Sequence, residues 1–410
     1  MKRLFALLTV LAVAIPSAAR AARSQSDSAA ELASIEKVTQ SIRHLVPKAN
    51  VTVRFPSDKA FDATLVASLK QGNPDSEIRI SQKELVMLGM LTAHDSLRRL
   101  LFQGLTGEVV GFYDPKTTVL YVRHGSSVLS GPERSTIAHE YTHALQDQYF
   151  HLRKMSPDQT KIAYRNSDAI EAHHALIEGD AVNTQLLYIE RTYNSQEIRD
   201  LIQLQNQAQK GQRLPQALQR EFDFPYTTGL TFAQRLYQLG GMRAVDGAYA
   251  RLPSSTFEIM HPSAYQSGWK PEHVRLHTAT GFESWQVLDD DVFGALEYEL
   301  LLRQYLSKGA VDKVTDQYRG DRYVFLQKAG QDALLMKSVW SSHATALVSK
   351  AGFLQALHKR YPNAGTINTG GATVRATAQS VFLHVHGRTL TLAYASTSAL
   401  AAQLGTAPTT

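Results

Sequence analysis

The pentapeptide His139-Glu140-Tyr141-Thr142-His143 constrains this chain more than any other feature. Side chains four residues apart lie one above the other on an α-helix, whereas along a strand they stand about 13 Å apart. Two imidazoles at this spacing can therefore meet at one point only on a helix. There they can grip a single metal ion, and the glutamate beside the first histidine can touch a water at that ion without being a ligand. The flanking sequence suits a helix. Pro132 and Glu133 supply a proline and an acid for its first turn, and the segment should run on to Phe150.

Two histidines hold a catalytic metal ion poorly, so a third protein ligand is expected. The chain has no cysteine among its 410 residues, which leaves His, Glu or Asp and also excludes disulfides, thiolate sites and a cysteine nucleophile. The next polar cluster with helical character holds Glu171, His173, His174, Glu178 and Asp180. Glu178 lies among small and apolar neighbours, Ala175 to Ala181. A carboxylate there is costly to bury without a cation, and small residues would let its helix lie close under the first. Glu178 is the preferred third ligand, with His174 and Glu171 as competitors. A plainer alternative stays open, in which Glu171, His174 and Glu178 form a solvated helix face with i+3 and i+4 pairs.

The rest of the chain divides by rhythm. Lys2 and Arg3 precede an apolar run from Leu4 to Ile15, then Pro16 and the small residues up to Ala21. That is the pattern of a cleaved export signal over residues 1–21, too short for the roughly 20 apolar residues of a membrane anchor. A secreted or periplasmic location is expected, with no stable membrane insertion after removal of the signal. Losing Lys2, Arg3 and Arg20 with it lowers the formal charge of +6 to about +3. The basic residues are scattered, which argues against a nucleic-acid partner.

Helical periodicity marks residues 31–45, 61–69 and 82–102, and Val51-Thr52-Val53-Arg54-Phe55 alternates like a strand. Residues 109–122 read as a hairpin turning at Asp114-Pro115. A helix should start near Asp168, where Asp168 and Glu171 have capping-box spacing. Glutamine-rich residues 203–220 read as a polar surface connection. After a soft boundary near residue 270, a helix is expected over 289–306 and another over 344–361. Strands are expected over 322–326, 334–340, 372–386 and 389–396. The expected fold class is α+β: a mainly helical domain over residues 22–270 carrying a small β-hairpin or sheet, then a smaller α+β module over 271–410.

With these motifs in view, the chain resembles the gluzincin (zincin-like) zinc metallopeptidases, in which a later helix supplies a glutamate as third ligand. It is similar, more narrowly, to a group of exported bacterial proteins sharing three motifs. These are Gly111-Phe112-Tyr113-Asp114-Pro115, the run from His139 to Gln148, and Glu178-Gly179-Asp180-Ala181. Phe224-Pro225-Tyr226, Gly240-Gly241 and His261-Pro262 belong to the same likeness, which spans roughly residues 105–265. The chain departs from the group at Phe257-Glu258 and at Gly294-Ala295, which touches substrate contacts and not the ligands.

The resemblance and the residues together imply one zinc ion on His139, His143 and Glu178, Glu140 as general base, and a peptide or protein substrate. Tyr226 and His261 are the candidate oxyanion donors. Asp147 and Asp180 are candidate partners for the outer ring nitrogens of the ligand histidines. The competing reading is a non-catalytic protein- or envelope-binding module on a peptidase scaffold.

Overall fold

The computed structural model describes residues 25–103, 109–123, 129–155, 165–208, 214–276, 281–368 and 371–408. The expected export signal lies outside them. The described residues open with α1 (Gln25–Arg43), β1 (Thr52–Arg54), α2 (Asp58–Gly72), α3 (Asp75–Leu88) and α4 (Leu97–Gln103). The hairpin β2 (Gly111–Asp114) and β3 (Val119–Val122) follows, then α5 (Gly131–Phe150), α6 (Leu152–Met155) and α7 (Ser167–Thr192). Next come α8 (Ser195–Ala208), α9 (Gln216–Ala250), α10 (Thr256–Met260) and α11 (Pro262–Gln266). The last part holds β4 (Gln286–Asp291), α12 (Gly294–Arg303), α13 (Lys308–Thr315), β5 (Tyr318–Lys328) and β6 (Gln331–Trp340). It ends with α14 (His343–Arg360), β7 (Gly365–Asn368), β8 (Ala372–Arg375), β9 (Ser380–His386), β10 (Thr389–Ala395) and α15 (Ser398–Thr406).

The architecture is α+β. A helical region carries a three-stranded sheet of order β1-β3-β2, and a seven-stranded antiparallel sheet of order β4-β5-β6-β10-β9-β8-β7 follows. The large sheet is buried on both faces in its centre, while its edge strand β7 is exposed. Tyr323, Phe325, Leu334, Met336, Leu390 and Leu392 join the main core, while their neighbours Val324, Leu326, Ala333, Leu335 and Ala393 pack with Leu404 of α15. Period-two alternation along each strand sends successive residues into two different apolar layers. The main core runs from Ile35 of α1 to Tyr394 of β10. Among the described residues no helix is long and apolar enough to cross a membrane.

Several expectations need correction. The helix expected over 82–102 is two helices, because Gly89 ends α3 in the left-handed region at φ 80°. Asn166, not Asp168, caps α7, its side chain accepting from Ala169 N at 3.0 Å. Asp168 instead accepts from Thr256 N at 3.0 Å and from the Thr256 hydroxyl at 2.5 Å. The glutamine-rich stretch is largely helical, with α8 and the start of α9 in it and residues 209–213 outside the described set. The 35-residue α9 runs through Pro225 and breaks its helical geometry only at Gly240 and Gly241. The helix expected from residue 289 begins at Gly294, since Asp289 to Asp291 pair with β5. The expected strand over 372–386 is two strands, β8 and β9. The boundary expected near residue 270 falls in the connection between α11 and β4.

Candidate metal centre

Helix α5 starts where its sequence can stop the chain from fraying. The Ser130 hydroxyl accepts from Glu133 N at 3.4 Å, and the Glu133 carboxylate accepts from Ser130 N at 2.7 Å. This reciprocal cap satisfies two backbone donors of the first turn. The helix is then buried almost continuously from Pro132 to Gln146. His139 and His143 stand one turn apart with their Nε2 atoms 2.9 Å from each other. Glu178 comes from the middle of α7, and its Oε2 lies 3.3 Å from His139 Nε2 and 3.5 Å from His143 Nε2. All three side chains are 0 % exposed. Among the described residues they form the one group of three or more metal-ligating side chains with ligand atoms within 4.8 Å of one another.

The donor set suits a small divalent cation. Tetrahedral ligands at about 2.0–2.1 Å from zinc lie about 3.3 Å from each other, and the three separations bracket that value. The Glu178 oxygens face three imidazoles, those of His139, His143 and His174, at 3.3–3.5 Å, whereas a buried carboxylate normally collects several closer donors. Two imidazole nitrogens aimed at each other and at this carboxylate are costly unless a cation lies between them. Burial holds His139 below the ordinary histidine range. Burial also pushes Glu178 upward, but His143, His139 and His174 outweigh it and keep the carboxyl well below its usual range. A neutral imidazole and an ionised carboxylate are the forms that ligate.

Gly179, among the small residues expected to bring α7 under α5, meets α9 instead. A Cβ on Gly179 would strike the backbone of Gly229 in α9, and a Cβ on Gly229 would strike the carbonyl of Ala175. The two glycines let α7 and α9 approach backbone to backbone.

No family model, curated protein or solved structure matches this chain.

The remaining candidates are distributed as follows. Glu140, fully buried, accepts from Tyr113 N at 2.8 Å, so the outer edge of β2 orients it. Gly111 permits this approach, since its Cβ would lie 3.2 Å from Thr136 Cγ2 and 3.6 Å from Glu140 Cγ. Asp147 accepts from the Tyr113 hydroxyl at 3.0 Å and from Leu152 N at 3.1 Å, tying α5 to the hairpin and to α6. The two competitors for the third ligand position are buried behind Glu178. His174 Nε2 lies 3.4 Å from Glu178 Oε1, and His174 Nδ1 lies 4.0 Å from Glu171. Burial lowers His174, yet Glu178 and Glu171 raise it more, and the net shift is upward.

Asp180 reaches His143 through an intermediary that sequence reasoning missed. His143 Nδ1 lies 2.7 Å from Gln146 Oε1, and Gln146 Nε2 donates to Asp180 at 2.8 Å. The available signal was the i+3 spacing of Gln146 from His143, which puts both on one helix face. Gln185, two turns beyond Glu178 on α7, stands beside His139. Tyr226 is half-buried on α9, three residues before Gly229. The structure does not bring His261 into the group. Its ring packs on Phe257 at 4.3 Å and lies 3.6 Å from Asp316.

Proposed function

We propose that the chain is an exported zinc-dependent peptidase of the gluzincin kind, acting on a peptide or protein outside the cytoplasm. The observation that carries this reading is the meeting of Glu178 with both imidazoles of the His-Glu-x-x-His helix, 35 residues or more away along the chain. His139, His143 and Glu178 would hold the ion, which in such a site polarises a carbonyl and lowers the pKa of a coordinated water towards 7. Glu140 would take the proton of the attacking water and return it to the leaving amine, with the Tyr113 N–H keeping its carboxylate in place. A donor for the oxyanion is also needed. Of the two candidates, Tyr226 is favoured because its helix packs directly on α7, while His261 is engaged with Phe257 and Asp316.

Complete burial of the triad and of Glu140 favours the second reading, a metal-holding scaffold without turnover, because catalytic zinc sites keep one position open to water or substrate. Metal analysis and hydrolysis of a mixed peptide library by wild type and Glu140→Gln separate the two. The peptidase reading expects about one zinc per chain in both proteins, and cleavage reduced at least 100-fold in the variant. Zinc in both without cleavage by wild type would establish the scaffold instead.

A further inference from the structure

The metal-ligating edge of an imidazole is set by what holds its other edge. On His143 that partner is a glutamine amide, which offers either an acceptor or a donor depending on which way it faces. Here the direction is decided by its surroundings. Gln146 Nε2 lies 2.8 Å from Asp180 Oδ2 and 3.1 Å from the carbonyl oxygen of Ile177, and both of these only accept. Turning the amide over would set its oxygen against two oxygens. The NH2 group is therefore locked towards α7, and Oε1 is locked towards His143 Nδ1 at 2.7 Å. An acceptor there requires a proton on Nδ1.

Asp180 is itself anchored. Its Oδ2 accepts from the Tyr249 hydroxyl at 2.8 Å and lies 3.2 Å from Arg43. The Arg43 guanidinium, fully buried, also bonds Asp246 at 2.7 Å and contacts Met242 Sδ at 3.1 Å. The chain of contacts thus runs from α1 and α9 through Asp180 to α5. Every member except Asp246 is buried, so the arrangement is expensive to disrupt at any point.

We propose that Gln146 is the positioning residue of His143: held by Asp180 and the Ile177 carbonyl, it keeps the proton on Nδ1 and presents Nε2 to the metal. This rests on the metal-site reading for its consequence, but the proton placement is a property of the metal-free protein too. It also gives α1 a part in the site, since Arg43 supplies the positive charge that keeps Asp180 in place.

The test uses full-length mature protein labelled with 15N-histidine, with long-range 1H–15N spectra recording which ring nitrogen of His143 is protonated, with and without zinc. Wild type should show a protonated Nδ1 in both states. Gln146→Leu, which keeps the bulk and removes the acceptor, should lose that preference and bind zinc 10- to 100-fold more weakly in a chelator competition. Gln146→Glu keeps an acceptor at Nδ1 and, as the neutral acid, can donate the proton of its second oxygen to Asp180, so it should retain the proton placement. An unprotonated Nδ1 in wild type would overturn the inference, as would a Gln146→Leu protein with unchanged proton placement and zinc affinity. If Gln146→Leu does not fold, the wild-type and Gln146→Glu spectra still decide. Wild type that binds no zinc yet shows the protonated Nδ1 would sink the peptidase reading and leave the proton placement standing.

Discussion

Replacing Glu178 with glutamine separates a ligand from a mere ion-pair partner. The substitution keeps the shape of a completely buried side chain and removes its charge. Structural zinc sites bind with apparent free energies of about 10–16 kcal/mol, so one ligand of three accounts for very roughly 4 kcal/mol, or about 1,000-fold in Kd. With zinc at about 1,000 times the wild-type Kd, the ion stabilises wild type by about 4.1 kcal/mol and the variant by about 0.4 kcal/mol. The unfolding entropy scales to about 0.8 kcal/mol/K for a chain of this length. Wild type should therefore gain about 5 °C in Tm on adding zinc, and Glu178→Gln well under 1 °C. In chelator the variant should fall below wild type, because the imidazoles of His139, His143 and His174 stabilise the ionised carboxylate that the variant lacks, so the zinc-dependent shift is the part that reports ligation. Scanning calorimetry of both proteins, with zinc and with chelator, reads all four values. An equal zinc shift in the two proteins would refute the assignment.

Two further predictions concern the frame around the site. Gly229→Ala should cost about 1–3 kcal/mol in urea unfolding and weaken zinc binding, because the new methyl meets the Ala175 carbonyl and pushes α7 off α9. Gly247→Ala in the same helix, with nothing within 4 Å of its Cβ, should instead gain about 0.5–1 kcal/mol; if both variants lose stability alike, the close crossing is not what matters. Burial pushes Asp321 up to about 7 in spite of donors from Tyr318, Gly294 and Phe293. Its folded pKa thus lies above the unfolded value of about 3.9. The stability it contributes is full below about pH 4, falls as pH rises to about 7, and is flat above, a total on the order of 4 kcal/mol. Wild type should lose stability relative to Asp321→Asn across that window, and a stability difference constant from pH 4 to 8 would disprove the shift.

How much of this was legible beforehand depends on the range of the interaction. Helical spacing alone put His139, Glu140 and His143 on one turn, and Ser130, Pro132 and Glu133 start the helix by contacts within four residues. The hairpin at Asp114 was readable for the same reason: the Asp114 side chain accepts from Lys116 N at 2.9 Å, a bond made within the turn itself. Glu178 was preferred over His174 and Glu171 from its small and apolar neighbours, and the structure groups it with the two imidazoles. That grouping comes with the packing of α7 against α5 and α9, in which Gly179 and Gly229, about 50 residues apart, approach closely.

Local preference misleads where distant segments compete. Pro225 is a helix breaker by local preference, yet α9 runs through it and breaks only at Gly240 and Gly241. Asp168 has a capping residue's chemistry, but Thr256 claims its carboxylate. The i+3 spacing of Gln146 from His143 was visible locally, but its part appears only when Asp180, Tyr249 and Arg43 converge from 34 to over 100 residues away. The identities of the two imidazoles and of the adjacent base were determined by the sequence itself, because backbone periodicity converts a spacing of four into a shared face. The sequence could favour Glu178 as third ligand, but its meeting with the imidazoles and the orientation of the second imidazole were decided only by the tertiary structure, because buried charges and amides take their partners from whichever chain segments the core brings against them.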